Sequence, residues 1–214
     1  MELKGKKINF LGDSITEGHG TSDWNTKPYH QVLKANVGLA EARNYGKGGT
    51  KIARLPVITD NPFDQDFNLR ALDMDLDADA VVVFGGTNDY GHSTIPLGKF
   101  EDRDIHTFYG GMHTLCLYLI KNYTDKEIVF MTPLHRLQEA KFDNDISHPL
   151  HDFVKAIREV CEYYSIPVCD LYKESGMYGN VWAWCEKYMP DGLHPNDEGH
   201  KLIAHKLQKF LENL

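Results

Sequence analysis

Ala80-Val81-Val82-Val83-Phe84-Gly85-Gly86-Thr87-Asn88-Asp89 is the stretch on which the architecture turns. The continuous, β-branched run from Ala80 to Phe84 predicts a strand buried on both faces. Two glycines end it, and a short polar turn follows. Four other segments have a related character: Ile8–Leu11, Ala42–Tyr45, Ile128–Met131 and Ile166–Leu171. Helical spacing separates them. Tyr29, Val32, Leu33 and Val37 follow Pro28. Phe108, Met112, Leu115 and Leu119 form a second set, and Leu150, Phe153, Val154, Ile157, Cys161 and Tyr164 a third. Asn196 reads as an N-cap ahead of Ile203, Leu207 and Phe210. Two tracts are irregular. Residues 51–76 are broken by Pro56 and Pro62, with Phe63, Phe67 and Leu72 marking a short helix, and Tyr172–Pro190 is rich in aromatics. Five strands alternating with helices predict an α/β protein, a parallel sheet covered on both faces, forming one domain over residues 1–214.

The chain has 214 residues and a formal net charge of −8, with 42% hydrophobic composition. That is enough to bury a stable core. The acidic balance and the lack of a basic run argue against nucleic acid or an anionic membrane surface as partner. The apolar run after Lys7 is too short for a secretory signal, and no stretch approaches a membrane span. Cys116, Cys161, Cys169 and Cys185 are widely spaced and read as buried thiols without a disulfide or zinc framework. These features set the expectation of a cytoplasmic protein.

In a parallel sheet the turns after the strands gather at one edge, where ligands bind. The first strand ends at Gly12-Asp13-Ser14-Ile15-Thr16, the second at Gly46-Lys47-Gly48-Gly49-Thr50, the third at Gly85 to Asp89. Near the chain's end stands Asp191-Gly192-Leu193-His194. Together these turns supply the parts of an acyl-transfer site. Ser14 is the nucleophile, and a serine hydroxyl needs an adjacent base. His194 is that base, and Asp191 is spaced to return its carboxylate to the other ring nitrogen. The Ser14 amide, a glycine of the second turn (Gly49, with Gly48 beside it) and the Asn88 side chain are the donors for an oxyanion. Each signal alone has an ordinary structural reading: Ser14 as a helix cap, the glycines as turn formers, Asn88 as an Asx turn, Asp191 and His194 as a surface turn. Their order along the chain makes the combination informative.

The blocks Gly12-Asp13-Ser14-Ile15-Thr16, Asn44-Tyr45-Gly46-Lys47-Gly48-Gly49, Gly85-Gly86-Thr87-Asn88-Asp89 and Asp191-Gly192-Leu193-His194 resemble those of the SGNH, or GDSL, hydrolases. The resemblance spans nearly the whole chain. It implies a flavodoxin-like three-layer α/β/α sandwich and ester hydrolysis without metal or other cofactor. The family's four namesake residues fall on Ser14, Gly49, Asn88 and His194. The expected activity is a serine esterase acting through an acyl-enzyme on Ser14, with a small-molecule ester of short acyl chain, such as an acetylated carbohydrate, as substrate. An acyltransferase using the same intermediate is a close variant. A nucleotide- or phosphate-binding module is the rival from another class, since glycine-rich turns can cradle phosphate. It lacks the usual fingerprints, however, and leaves Asp191 and His194 unused. A scaffold with an idle site is the remaining alternative.

Asp13 and Asp89 are expected to brace their turns. Tyr90 and His92, following Asn88, and Trp182 and Trp184, preceding Asp191, are candidates for the substrate rim. Aromatics in such a loop also serve simply to close over the sheet. The eleven histidines form no ligand motif, so no metal site is expected.

Overall fold

The computed structural model describes residues 1–91, 95–139 and 148–214. Residues 80–84 form the middle strand of a five-stranded, all-parallel sheet. The strands are β1 (Lys7–Gly12), β2 (Glu41–Gly46), β3 (Ala80–Phe84), β4 (Glu127–Met131) and β5 (Val168–Cys169), in the spatial order β2-β1-β3-β4-β5. The helices are α1 (Ser14–Glu17), α2 (Tyr29–Val37), α3 (Phe67–Arg70), α4 (Thr87–Gly91), α5 (Phe108–Asn122), α6 (Leu150–Tyr163), α7 (Leu171–Glu174), α8 (Trp182–Tyr188) and α9 (Asp197–Glu212). This strand order is the flavodoxin-like one. It reverses direction between β1 and β3, which opens a crevice at their carboxyl ends.

The two-sided burial of β3 follows from its pleat. Val81 and Val83 pack with Met112, Leu115 and Leu119 of α5 and Phe153, Ile157 and Val160 of α6. Ala80, Val82 and Phe84 face the opposite layer, with Tyr29 and Leu33 of α2 and Ile203, Leu207 and Leu211 of α9. Each large apolar side chain so buried contributes roughly 1.5–3 kcal/mol. The helices are capped as their sequences allow. The Thr107 hydroxyl accepts the Gly110 N–H at 3.1 Å ahead of α5. Asn196 Oδ1 accepts the N–H groups of Glu198 and Gly199, each at 3.1 Å, ahead of α9.

Three details differ from expectation. The fifth strand is confined to Val168–Cys169. Asp170 leaves the ladder to cap α7, accepting the Lys173 N–H at 3.2 Å, and also pairs with Arg158. On α9 the buried position falls to Leu211, and Phe210 sits partly exposed at the margin. The aromatic tract after β5 is not wholly irregular, since it contains α7 and α8. The four cysteines are buried and unbonded to one another. Among the described residues no helix is long and apolar enough to cross a membrane, and no group of three or more His, Cys, Asp or Glu side chains is placed to hold a metal ion.

Candidate active site

Ser14 opens α1 directly after β1. Gly12 makes that possible, because a side chain there would begin 2.0 Å from Thr16 Oγ1 and 3.0 Å from the Phe84 carbonyl. Asp13 turns inward and accepts the Ile15 N–H at 3.0 Å. Burial pushes its carboxyl up to about 6, against the opposing pull of that hydrogen bond and of His194. Ser14 itself is buried, with its N–H among the first-turn donors that have no partner within the helix.

Ser14 Oγ lies 3.0 Å from His194 Nε2. His194 Nδ1 lies 2.6 Å from Asp191 Oδ2. The acceptor on the Nδ1 side assigns the proton to Nδ1 and leaves Nε2 free to accept from the serine. Asp191 is fixed in turn, its other oxygen accepting the backbone N–H groups of Leu193 at 2.9 Å and His194 at 2.7 Å. Burial raises the Asp191 carboxyl, but these N–H groups and the imidazole outweigh it and hold it below the usual carboxylate range.

What brings residues 14 and 194 together is the docking of the loop after α1 on the segment leading into α9. Gly20 lies so close that a side chain there would begin 2.3 Å from the Pro195 carbonyl oxygen. Ser22 donates its N–H and its hydroxyl to Asp197 at 2.8 and 2.7 Å. The Tyr29 N–H donates to His200 Nδ1 at 3.0 Å.

The second turn presents Gly49 in the left-handed region, φ 71°, which only glycine adopts without strain. Among the described residues its N–H has no protein acceptor. Gly48 differs, since its N–H donates to Glu17 Oε2 at 2.7 Å. Of the two glycines, Gly49 is therefore the one with a donor to spare. Arg70 secures this turn from below. It donates to the Gly12 carbonyl at 2.9 Å and Thr50 Oγ1 at 2.8 Å, and burial lowers its guanidinium to about 10.

Asn88, in the first turn of α4, donates one amide N–H to the Thr50 carbonyl at 3.0 Å. Its second N–H has no protein acceptor among the described residues. Asp89 accepts the N–H groups of Ile52 and Ala53 at 3.0–3.1 Å, and burial pushes its carboxyl up to about 6. Arg136 steadies the same turn through the Thr87 carbonyl and hydroxyl, at 3.2 and 3.1 Å.

Ser14, His19, Gly48, Gly49, Phe63, Asn88, Leu193 and His194 line a cleft of about 240 Å³. The structure thus gathers Ser14, Gly49, Asn88 and His194 around one cavity, with Asp191 behind the histidine. Three of the four rim candidates fall elsewhere. Tyr90 turns away, its hydroxyl donating to the Gln138 carbonyl at 2.6 Å and its ring packing on Phe153. Trp184 meets Tyr178 edge-on and stacks on Tyr188, and Trp182 donates to Glu186 at 2.8 Å. None of the three lines the cleft. His92 lies outside the described residues. Conversely, Phe63, His19 and Leu193 line the cleft although the sequence pattern points to no site role for them. Leu193 and His19 flank motif residues, a positional hint, whereas Phe63 comes from the irregular tract and carries no such signal.

A family model for the GDSL-like lipase/acylhydrolase family matches residues 10–202. Among solved structures, a protein from Lactobacillus plantarum shares 32% identity over 99% of this chain and 98% of its own, with a TM-score of 0.86. A lipase/acylhydrolase from Enterococcus faecalis shares 22% identity, covering 97% and 96%, with a TM-score of 0.67. An acetyl xylan esterase shares 22% identity, covering 95% and 98%, with a TM-score of 0.62. At that identity the last two show the fold alone. No curated protein matches the chain. With a family model covering all but the ends of the sequence, the chain belongs to the GDSL-like lipase/acylhydrolase family of ester hydrolases.

Proposed function

We propose that the protein is a serine esterase that works through an acyl-enzyme on Ser14 and prefers a small ester with a short acyl chain. The observation that carries this reading is the Ser14 Oγ to His194 Nε2 contact at 3.0 Å, with Asp191 on the far side of the ring. As Ser14 Oγ bonds to the ester carbon, its proton passes to His194 Nε2 and the carbonyl π electrons move onto oxygen. The N–H groups of Ser14 and Gly49 and the free N–H of Asn88 receive that oxyanion. When it collapses, the bond to the alcohol oxygen breaks and His194 protonates the leaving alcohol. Water then attacks the acyl-enzyme, giving its proton to the same nitrogen, and the acid leaves as Ser14 is regenerated. Asp191 orients the imidazole and stabilises its charged form.

The cleft is small and walled by Phe63 and Leu193, which suits a short acyl group such as acetate. An acetylated carbohydrate is one substrate of that kind. The phosphate-binding alternative meets a specific obstacle. Glu17 places a carboxylate on the Gly48 N–H, where a bound phosphate would meet like charge.

The test is hydrolysis of 4-nitrophenyl acetate by the wild type and by Ser14→Ala, with mass spectrometry of protein treated with a phosphonate ester. The expected result is a loss of roughly 10³-fold or more in kcat/KM, and a single adduct on the peptide carrying Ser14 in the wild type only. Equal turnover by the two proteins would overturn the reading. Product analysis with a competing alcohol separates hydrolysis from acyl transfer.

A further inference from the structure

Phe63 occupies an unusual place for a half-exposed phenylalanine. It lies on a single 3₁₀ turn, Pro62–Asp64, in the tract between β2 and α3. That turn is tied down by its own polar side chains. Asn61 Oδ1 accepts the Phe63 N–H at 3.1 Å, Asp64 accepts the Thr59 N–H at 3.0 Å, and Thr59 Oγ1 accepts the Asn61 N–H at 3.1 Å. The ring thereby sits over Gly49. A side chain on Gly49 would begin 3.3–3.6 Å from Phe63 Cδ1, Cγ and Cβ. Phe63 also lines the cleft that contains Ser14.

The chemistry divides the cleft. A tetrahedral carbon on Ser14 Oγ carries three further substituents. The oxyanion must point to Gly49 and Asn88, and the leaving oxygen must point to His194 Nε2, which returns its proton. His19 extends that second side, its ring 5.4 Å from that of His194 and 4.8 Å from that of Trp24. The alcohol therefore lies on the side of His194 and His19. Of the side chains lining the cleft, Phe63 and Leu193 are then left for the acyl chain, and of these two Phe63 stands away from the His194 loop.

We propose that Phe63 is a specificity-determining residue: its ring closes the acyl side of the cleft and limits the length of the chain the enzyme accepts. The proposal rests on the serine-esterase reading and deepens it. Removing the ring extends the apolar space next to the oxyanion site, and discrimination by a hydrophobic pocket runs at about 10-fold or more per methylene.

The experiment measures kcat/KM for 4-nitrophenyl acetate, butyrate and hexanoate with the wild type, Phe63→Ala, Phe63→Trp and Ser14→Ala. A second series keeps the acetyl group and varies the alcohol between 4-nitrophenol and 4-methylumbelliferone. Phe63→Ala is expected to raise the hexanoate-to-acetate ratio by at least about 10-fold, and Phe63→Trp to lower it, with the ratio between alcohols unchanged. An unchanged chain-length ratio while Ser14→Ala is inactive would overturn the role of Phe63 and leave the esterase reading standing. A shift confined to the alcohol series would overturn it too, by placing Phe63 on the other side. Full activity of Ser14→Ala would overturn the esterase reading, and this proposal with it.

Discussion

Asn88→Ala separates a chemical role from a merely architectural one. The Asn88 side chain has two N–H groups, and the Thr50 carbonyl takes one of them at 3.0 Å. The other is available in the cleft beside Ser14. Loss of one oxyanion donor costs on the order of 10²–10³ in kcat. The alanine also strips the Thr50 carbonyl of a buried partner, a destabilisation of about 1–3 kcal/mol. For a chain of this length that lowers Tm by roughly 2–4 °C per kcal/mol. The turn itself is retained, because Arg70 still holds Thr50 Oγ1 and the Gly12 carbonyl. KM is expected to stay within a factor of about three, since the donor acts on charge that develops only in the transition state. The assay is steady-state hydrolysis of 4-nitrophenyl acetate beside a thermal melt followed by circular dichroism. Asn88→Asp, of similar size, replaces the donor with an acceptor facing the oxyanion and is expected to be slower still. A kcat within about threefold of wild type, with a lowered Tm, would refute the reasoning and leave Asn88 as a brace for Thr50 alone.

Two further outcomes are expected. Asp191→Asn retains an oxygen to accept the Leu193 and His194 N–H groups but loses the charge opposite His194 Nδ1; kcat is expected to fall by about 10²–10⁴-fold with little change in KM, and an unaltered kcat would remove Asp191 from the mechanism. Asp89 has its carboxyl raised by burial from 3.8 to about 6, so the folded state holds that proton more tightly than the unfolded chain. Its contribution to stability is then fully present below pH 3.8 and is lost as pH rises through about 6, amounting to about 3 kcal/mol. A side-chain amide at this position does not titrate, so the stability at pH 4 minus that at pH 7, from urea melts, should be lower in Asp89→Asn than in wild type by roughly that amount; an identical value in both would show that Asp89 does not set this slope.

Much of the framework was legible because it repeats. Residues 80–84 are apolar without interruption, and the structure gives each side of that strand its own helical layer. The helices of the two layers announced themselves by period. Local signals also sufficed where a backbone needs a particular residue, as at Asn196 ahead of α9. β5 is shorter than its apolar run because such a run does not reveal when an aspartate at its end prefers a helix cap to a ladder. The site residues that emerged from sequence all sit in short turns at strand ends or beside a helix start. Those that did not emerge act by approach across the fold. Arg70 reaches carbonyls from α3, Glu17 reaches the Gly48 N–H across 31 positions, and Phe63 is delivered by a tract with no periodicity. Trp182 and Trp184 illustrate the converse. Their size and position make them candidates for the rim, but α8 turns Trp184 into an aromatic cluster of its own and leaves Trp182 in solvent.

The hydroxyl and the imidazole come from positions 180 residues apart. One follows the first strand, and the other precedes the final helix. Neither half of the chain can assemble the pair alone, and the bond between them closes a loop that encloses most of the sheet. Recovery of ester cleavage after dilution from denaturant should therefore lag behind recovery of helical ellipticity, which makes turnover a gauge of complete assembly rather than of secondary structure.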